Sequence, residues 1–179
     1  MSGIIDTVGS KSGIVGSDVY PAGHIIQVKG SDNYHLQDFD DQMDVIIEAS
    51  LTDVQASSYV SIFTSCTINL QNTTSEGFES HIFRKATSMG SVGTEISGAT
   101  RINATGGANA SATFSYHDIQ ADTSANSNMY DQTPFWCIDE SPDTGTNYYV
   151  LAGSAYNQLQ PPALQHDGNC TIILMEIAQ

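Results

Sequence analysis

NCTIILMEIAQ, residues 169 to 179, is the stretch that decides the fold class of this 179-residue chain. Its apolar residues are Cys170, Ile172, Ile173, Leu174, Met175 and Ile177. A run rich in β-branched residues that follows the turn-forming Asp167-Gly168-Asn169 is typical of a strand buried on both faces. The sequence therefore predicts a central strand at the C-terminus, in a fold that closes only when this segment is in place.

The composition is that of a single domain in which small polar residues replace charged ones. Only 14% of the residues are charged, against a usual quarter, and the length suffices to bury a core without disulfides. Five Lys and Arg stand against 20 Asp and Glu, which gives a formal charge of −15. So few cations leave no electrostatic footprint for phosphates, and we expect neither nucleic acid nor a membrane as partner.

The sequence contains no motif for a metal, a cofactor or a catalytic site. Cys66, Cys137 and Cys170 are widely spaced, each in an apolar strand-like context, with no CxxC and no Cys/His pair at ligand spacing. We expect three buried thiols that act as small hydrophobes. Phosphate loops and a GxSxG nucleophile turn are also missing, so the chain is not expected to be an enzyme. It has no secretory leader and no bilayer-spanning run, which predicts a soluble chain.

Residues 1–22 differ in character from residues 23–179. Ser2-Gly3-Ile4-Ile5 is nearly repeated by Ser12-Gly13-Ile14-Val15, and the frequent glycines disfavour a helix. We interpret this segment as an extended N-terminal arm whose apolar side chains bind a partner, and a frayed terminus is the alternative. The candidate partner-binding residues are Ile4, Ile5, Val8, Ile14 and Val15.

The domain at 23–179 has the pattern of an all-β protein. Residues 43–52 alternate, with Met43, Val45, Ile47, Ala49 and Leu51 on one face and Ile46 as an apolar exception; a helix is the alternative there. Residues 59–70 also alternate, with Phe63 as the apolar exception on the outward side. Further strands are predicted at 23–30, 78–85, 113–119, 133–139, 147–152 and in the closing run, with long loops over 86–111. About eight short strands without an amphipathic helix predict a jelly-roll β-sandwich in preference to an immunoglobulin-like one.

Acidic and aromatic clusters are the remaining candidates for function. The acids at 38–44 predict a solvated loop, with calcium binding as the alternative. Asp139, Glu140 and Asp143 surround Pro142, which favours local turn chemistry over a glycosidase pair. Trp136, Tyr148 and Tyr149 could stack against a sugar or a partner, but at strand positions such residues more often belong to a core or a subunit interface.

Three stretches carry a family resemblance: HIFRKATSMGSVG (81–93), CIDESPDTGTNYYVLAGS (137–154) and CTIILMEIAQ (170–179). They resemble small jelly-roll virion structural proteins of marine tailed bacteriophages. That family shows an I-x-R-x-x-T hairpin, a D-S-P-x-T turn before a Y-x-V strand, and a closing T-I-x-L-M-E-I strand. The matching residues are Ile82, Arg84 and Thr87; Asp139, Ser141, Pro142 and Thr144, with Glu140 inserted, then Tyr148 and Val150; and Thr171, Ile172, Leu174, Met175, Glu176 and Ile177.

The resemblance implies a non-enzymatic virion component, made in the cytoplasm of a bacterial host and trimeric like other compact viral jelly rolls. Of the possible places on a particle, we expect the surface of the capsid, where the chain would act as a decoration (cement) protein. Its partners would be the major capsid protein or other virion proteins, bound through the N-terminal arm and a face of the sandwich. The alternative is a tail-fibre or adhesin tip that binds host glycans through loops around 31–42 and 86–130.

Overall fold

The computed structural model describes residues 20, 22–38, 42–71, 76–102, 115–119, 128–132, 134–156 and 164–179. Within these ranges every regular element is a β-strand. The strands are β1 (Ile25–Asp38), β2 (Asp44–Val54), β3 (Ser58–Ser65), β4 (Thr67–Gln71), β5 (Glu76–Lys85), β6 (Thr100–Ile102), β7 (Ser115–Ile119), β8 (Asn128–Gln132), β9 (Phe135–Asp139), β10 (Gly145–Tyr156) and β11 (Leu164–Ala178).

The strands form two antiparallel sheets that enclose one core. The first, here called the β11 sheet, has the order β8-β4-β11-β3-β9, with β1 paired to the other side of β11. The second, the β10 sheet, has the order β2-β10-β5-β6, with β7 also paired to β5. Side chains from both sheets meet in the core, among them Ile62, Leu151 and Leu174. The predicted all-β jelly-roll sandwich is confirmed, with eleven described strands in place of the expected eight or so.

β11 occupies the centre of its sheet, as predicted. It pairs with β1 along one side, from Asp38↔Gln165 to Ile25↔Ile177, and with β4 and β3 along the other. The prediction that it is buried on both faces is wrong. Ile172, Leu174 and Glu176 point inward and are fully buried, whereas Ile173 on the opposite face is 40% exposed. The apolar content of both faces suggested two-sided burial, but no described element covers the outer side.

A register irregularity explains why Ile46 breaks the alternation of β2. The pairing of β10 with β2 shifts between Leu151↔Ile47 and Ala152↔Val45. Ile46 and Ile47 both belong to the main core as a result, while Val45 points to the outer face of the β10 sheet. The local bulge thus places two consecutive isoleucines in the core, which a strict period of two excludes.

The segment between β5 and β6, residues 86–99, covers the outer face of the β10 sheet. Its backbone pairs with the β2 edge through Gly93 N–H to Val45 O (2.9 Å), Val45 N–H to Thr94 O (2.9 Å) and Ile96 N–H to Met43 O (2.8 Å). Gly90 is required in it, because its φ is +113° and a Cβ there would lie 2.7 Å from Oγ1 of Thr94. This segment buries a second apolar cluster, whose buried members are Val45, Met89, Val150 and Ala152.

Candidate interaction surface

The outer face of the β11 sheet carries a row of exposed apolar side chains. Ile173 on β11 is the register partner of Phe63 on β3, which is in turn the partner of Trp136 on β9. Direct cross-strand partners point to the same side of a sheet, so these three side chains are contiguous. They are 40%, 42% and 53% exposed. Large apolar residues that adjoin one another in solvent are typical of a binding surface and not of random surface composition.

The row is held in a defined shape by its own contacts. The rings of Phe63 and Trp136 lie 6.1 Å apart between centroids, at an interplanar angle of 33°. The indole Nε1–H of Trp136 donates a 2.6 Å hydrogen bond to Oγ of Ser61, the neighbouring outward residue of β3. The polar atom of the indole therefore has a partner within the sheet, and the ring presents an apolar surface to solvent.

Formal charge is missing from this part of the sheet, although the chain as a whole carries −15. The other outward positions of this part of the sheet are Thr171, Met175 and Ile177 on β11, and Tyr59, Ser61 and Ser65 on β3. On β9 the next outward residue is Ile138, the partner of Ser61. We call the surface formed by the outward residues of β3, of β9 and of residues 171–177 of β11 the apolar face. Its ten residues are Tyr59, Ser61, Phe63, Ser65, Trp136, Ile138, Thr171, Ile173, Met175 and Ile177.

The edge strand β1 extends the apolar face on its other side. Val28 is the partner of Met175 and is 52% exposed, and Ile25 pairs with Ile177 and is 50% exposed. Gly30 stands opposite Ile173, so β1 contributes no side chain at that point of the row. The absence of a side chain leaves Ile173 open from the β1 side.

A buried ion pair closes the opposite edge of the sandwich. Arg84 of β5 donates from Nη1 to Oδ2 of Asp139 at 2.5 Å and to the carbonyl oxygen of Ser141 at 2.7 Å. Tyr149 donates its hydroxyl to the same Asp139 oxygen at 2.9 Å, and Asp143 lies 3.3 Å from Nη2 of Arg84. Asp139 also accepts the backbone N–H of Ser141 at 3.2 Å. The predicted turn chemistry of Asp139 is confirmed, and the residue additionally links the two sheets.

Burial and neighbouring charges shift the pKa values of Arg84 and Tyr149 in this cluster. Burial would lower the pKa of Arg84, but the hydrogen bond to Asp139 and the charges of Asp139 and Asp143 outweigh it and raise that pKa. Burial and the negative charge of Asp139 raise the pKa of Tyr149 well above its ordinary value. A pocket of about 270 Å³ opens beside the ion pair, lined also by Arg101 and Glu140. Arg84 and Asp139, which also line this pocket, bind each other.

A second buried polar cluster centres on Glu176, which is fully buried on the inner face of β11. Its carboxylate accepts hydrogen bonds from Nε2 of Gln27 (2.6 Å), the backbone N–H of Gln55 (2.8 Å) and Oγ of Ser58 (2.8 Å). Gln27 also donates to the carbonyl oxygen of Thr52 at 2.8 Å. The carboxylate therefore ties β1 and the β2–β3 turn to the terminal strand, which is a structural role.

The three cysteines are buried thiols, as expected. Burial, together with the charge of Asp139, raises the pKa of Cys137 to about 12. The hydrogen bond to Cys170 and then burial raise the pKa of Cys66 far above its usual range. Within the described ranges, no group of three His, Cys, Asp or Glu is placed to hold a metal, and no helix is long and apolar enough to cross a membrane.

The structure places the predicted site residues in different parts of the fold. The arm residues Ile4, Ile5, Val8, Ile14 and Val15 lie outside the described residues. Of the three aromatic candidates, Trp136 is on the apolar face, Tyr149 is in the core and Tyr148 is half-buried against the second apolar cluster. The assignment of 31–42 to a glycan-binding loop is wrong for residues 31–38, which form the second half of β1. Residues 86–99 form a loop, as predicted, but this loop packs on the β10 sheet.

Sequence reasoning missed the apolar face as a unit. Phe63 was recognised as an outward apolar residue, but its partners Ile173 and Trp136 lie 110 and 73 positions further along the chain. Only strand register brings them together. The usable indication was an apolar residue between two outward serines, Ser61 and Ser65, in β3.

No family model and no curated protein matches the sequence. Among solved structures, the chain is similar to the VP2 subviral particle of infectious bursal disease virus, with 11% identity and a TM-score of 0.46 over 97% of this chain and 37% of that one. It is also similar to the structure of the Gx strain of the same virus, with 8% identity and a TM-score of 0.35 over 86% and 33% of the two chains. The chain thus spans well under half the length of these two chains, and such identities carry no information about function.

Proposed function

We propose that the chain is a non-enzymatic structural component of a bacteriophage virion, most specifically a capsid decoration protein. One observation supports the proposal most directly: two of the three motifs of the bacteriophage resemblance contact each other in the structure. Arg84 of the I-x-R-x-x-T motif binds Asp139 and Ser141 of the D-E-S-P-x-T turn. The third motif, the closing strand, lies at the centre of the β11 sheet.

The polar residues of these motifs are engaged with one another inside the fold. Asp139 accepts from Arg84 and Tyr149, and Glu176 accepts from three donors. A catalytic carboxylate needs access to a substrate, whereas these carboxylates hold the two sheets and the termini of strands together. Their arrangement favours a scaffold whose outer surface makes contacts.

The function proposed for the N-terminal arm is docking on coat subunits. Its five apolar residues, if buried on a neighbour, would contribute a few kcal/mol at about 25 cal/mol per Å² before the cost of ordering the segment. The strong negative charge would give the decorated particle a repulsive exterior. The protein would then act at the particle surface, bound to the major capsid protein, as a homotrimer.

Deletion of residues 1–20 tests this role. The truncated protein should fold, because Gly23 N–H still bonds to Ala178 O (2.7 Å) and β1 is complete, but it should no longer bind capsids. A truncated protein that decorates particles as well as the full chain would contradict the role of the arm. Densitometry of purified virions separates the alternatives: hundreds of copies indicate decoration, whereas a few copies with glycan binding indicate an adhesin tip.

A further inference from the structure

The two outer faces of the sandwich differ in how they are covered. On the β10 sheet the 86–99 segment buries Val150 and Ala152 completely. On the β11 sheet, no described residue covers the corresponding central side chains, and Phe63, Trp136 and Ile173 remain 40–53% exposed. The chain thus provides a cover for one apolar face and leaves the other open within the described ranges.

We propose that the apolar face is the surface through which the protein binds a second copy of itself. This inference rests on the proposed self-association into a homotrimer and names the surface that joins the copies. It is tested on the purified protein, so its outcome is separate from any role on the virion. The charge and the area of the apolar face both favour a second copy as the partner.

Charge selects the kind of partner. A basic partner would be met by an acidic surface, because complementary potentials guide association. The ten residues of the apolar face include no acid or base, while Asp32 at one end and Glu140 at the other are exposed at its borders. Two copies that each carry −15 repel one another over most of their surfaces. They can approach closely where charges are missing, and the apolar face is such a place.

The area of the apolar face suits the centre of an interface between two copies. With β1 beside it, the face extends over about seven residues along β11, from Thr171 to Ile177. At about 3.3 Å per residue and about 4.8 Å between strands, these four strands present roughly 23 Å by 19 Å there. That is the size of the largest apolar patch on a typical monomer, which is often functional. A standard stable interface buries about 800 Å² from each partner, so the apolar face would supply its centre and the surrounding residues its polar rim.

The aromatic row supplies an energetic centre for such an interface. Trp and other aromatic residues dominate binding energy when they lie in a desolvated centre. Trp136 and Phe63 are already in mutual contact, and the Trp136 N–H is already bonded to Ser61. Covering them would remove apolar area from water without leaving a buried donor unsatisfied.

The experiment is sedimentation of the full-length protein over a range of concentrations, with the fluorescence of Trp136, the single tryptophan of the chain, as a local reporter. We expect a mass that is a multiple of 19.1 kDa and tryptophan emission at short wavelength. Ile173→Asp places a charge in the middle of the row and should weaken association at least about tenfold, with emission shifted to longer wavelength. Thr52→Asp, which adds the same charge at an exposed position of β2, is the matched control and should associate like the wild type.

Salt separates apolar self-association from charge-driven docking. Screening of the −15 charge should strengthen association as salt rises, whereas binding between opposite charges would weaken. If circular dichroism shows that Ile173→Asp does not fold, Phe63→Ser replaces it, because Ser61 and Ser65 already occupy the adjacent outward positions of β3. A wild-type protein that stays monomeric at all concentrations would overturn the proposal. So would a folded row variant that associates as strongly as Thr52→Asp.

Discussion

Arg84 and Asp139 join the two sheets of the sandwich through a buried ion pair 2.5 Å long. The two residues are 55 positions apart, on β5 and β9, and the same guanidinium group also binds the carbonyl oxygen of Ser141. Tyr149 on β10 completes the set by donating to Asp139. The edge of the sandwich near β6 and β9 is therefore fastened by a charged cluster instead of by apolar packing.

Arg84→Met should destabilise the fold by about 3–5 kcal/mol, because it leaves the Asp139 carboxylate buried without its cation. The measurement is the free energy of unfolding from urea titration. Asp139→Leu should cost a similar amount for the converse reason. The double variant should lose much less than the sum of the two, because it leaves neither charge unpaired.

Lys85→Met is the control for this cycle. Lys85 is adjacent in sequence and donates from Nζ to the carbonyl oxygen of Ser97 (3.0 Å) at an exposed position, so its loss should cost less than about 1 kcal/mol. Strict additivity of Arg84→Met and Asp139→Leu would show that the two side chains do not depend on each other.

Glu176→Gln tests the second buried cluster. The carboxylate accepts hydrogen bonds from Gln27, Gln55 and Ser58. A glutamine at this position has an NH2 group in place of one carboxylate oxygen, so at least one of these donors would face another donor and lose its acceptor. We expect a loss of about 2–3 kcal/mol in the free energy of unfolding. Glu140→Gln, at an exposed position, makes the same chemical change and should alter stability by less than about 0.5 kcal/mol. Equal effects of the two substitutions would contradict a structural role for the buried carboxylate.

The course of β11 shows what sequence patterns can predict here. Its length, its composition and the turn before it were sufficient to place a central strand in an all-β sandwich. Which face is buried was not predictable, because Ile173, Met175 and Ile177 on one side are as apolar as Ile172 and Leu174 on the other. The single acid of the run, Glu176, lies on the buried side. Its partners come from residues 27, 55 and 58, so no local pattern could have placed it there.

The candidate sites were also predictable only in part, because their residues come together through long-range pairing. The residues of the bacteriophage resemblance included Arg84 and Asp139, but neither periodicity nor spacing indicated that they bind each other. The apolar face depends on register between β3, β9 and β11, which is a property of the whole sheet. The alternation within β3 identified Phe63 as an outward apolar residue. Only the pairing of β3 with β11 and β9 shows that Ile173 and Trp136 adjoin it.

Removal of the last five residues, Met175 to Gln179, should give insoluble protein. The truncation takes away the partners of Val60 and Ser61 on β3 and of Val28 on β1, together with the Glu176 carboxylate. Two strands of one sheet would then expose unpaired backbone edges, which promote aggregation. Removal of Gln179 alone, which loses one 3.2 Å backbone bond to Ser57, should leave a soluble protein. The assay is the soluble fraction after expression, and cooperative unfolding of a soluble five-residue truncation would contradict the central position of β11.

Tyr149 gives the fold a dependence on alkaline pH. Burial and the Asp139 charge raise its pKa in the folded state above the value of about 10 of an unfolded chain. The folded protein therefore holds the phenolic proton more tightly, so this contribution to stability is complete below about pH 10 and is lost as the pH rises further. At pH 11 the loss from this group should reach about 1.4 kcal/mol.

The comparison of the wild type with Tyr149→Phe isolates this effect. The buried thiols, which also have raised pKa values, lower the stability of both proteins alike as the pH rises. The wild type should be the more stable protein at pH 8, because Tyr149 donates to Asp139 there, and its advantage should shrink by about 1.4 kcal/mol by pH 11. Parallel curves for the wild type and Tyr149→Phe between pH 8 and 11 would mean that the buried hydroxyl does not govern alkaline unfolding.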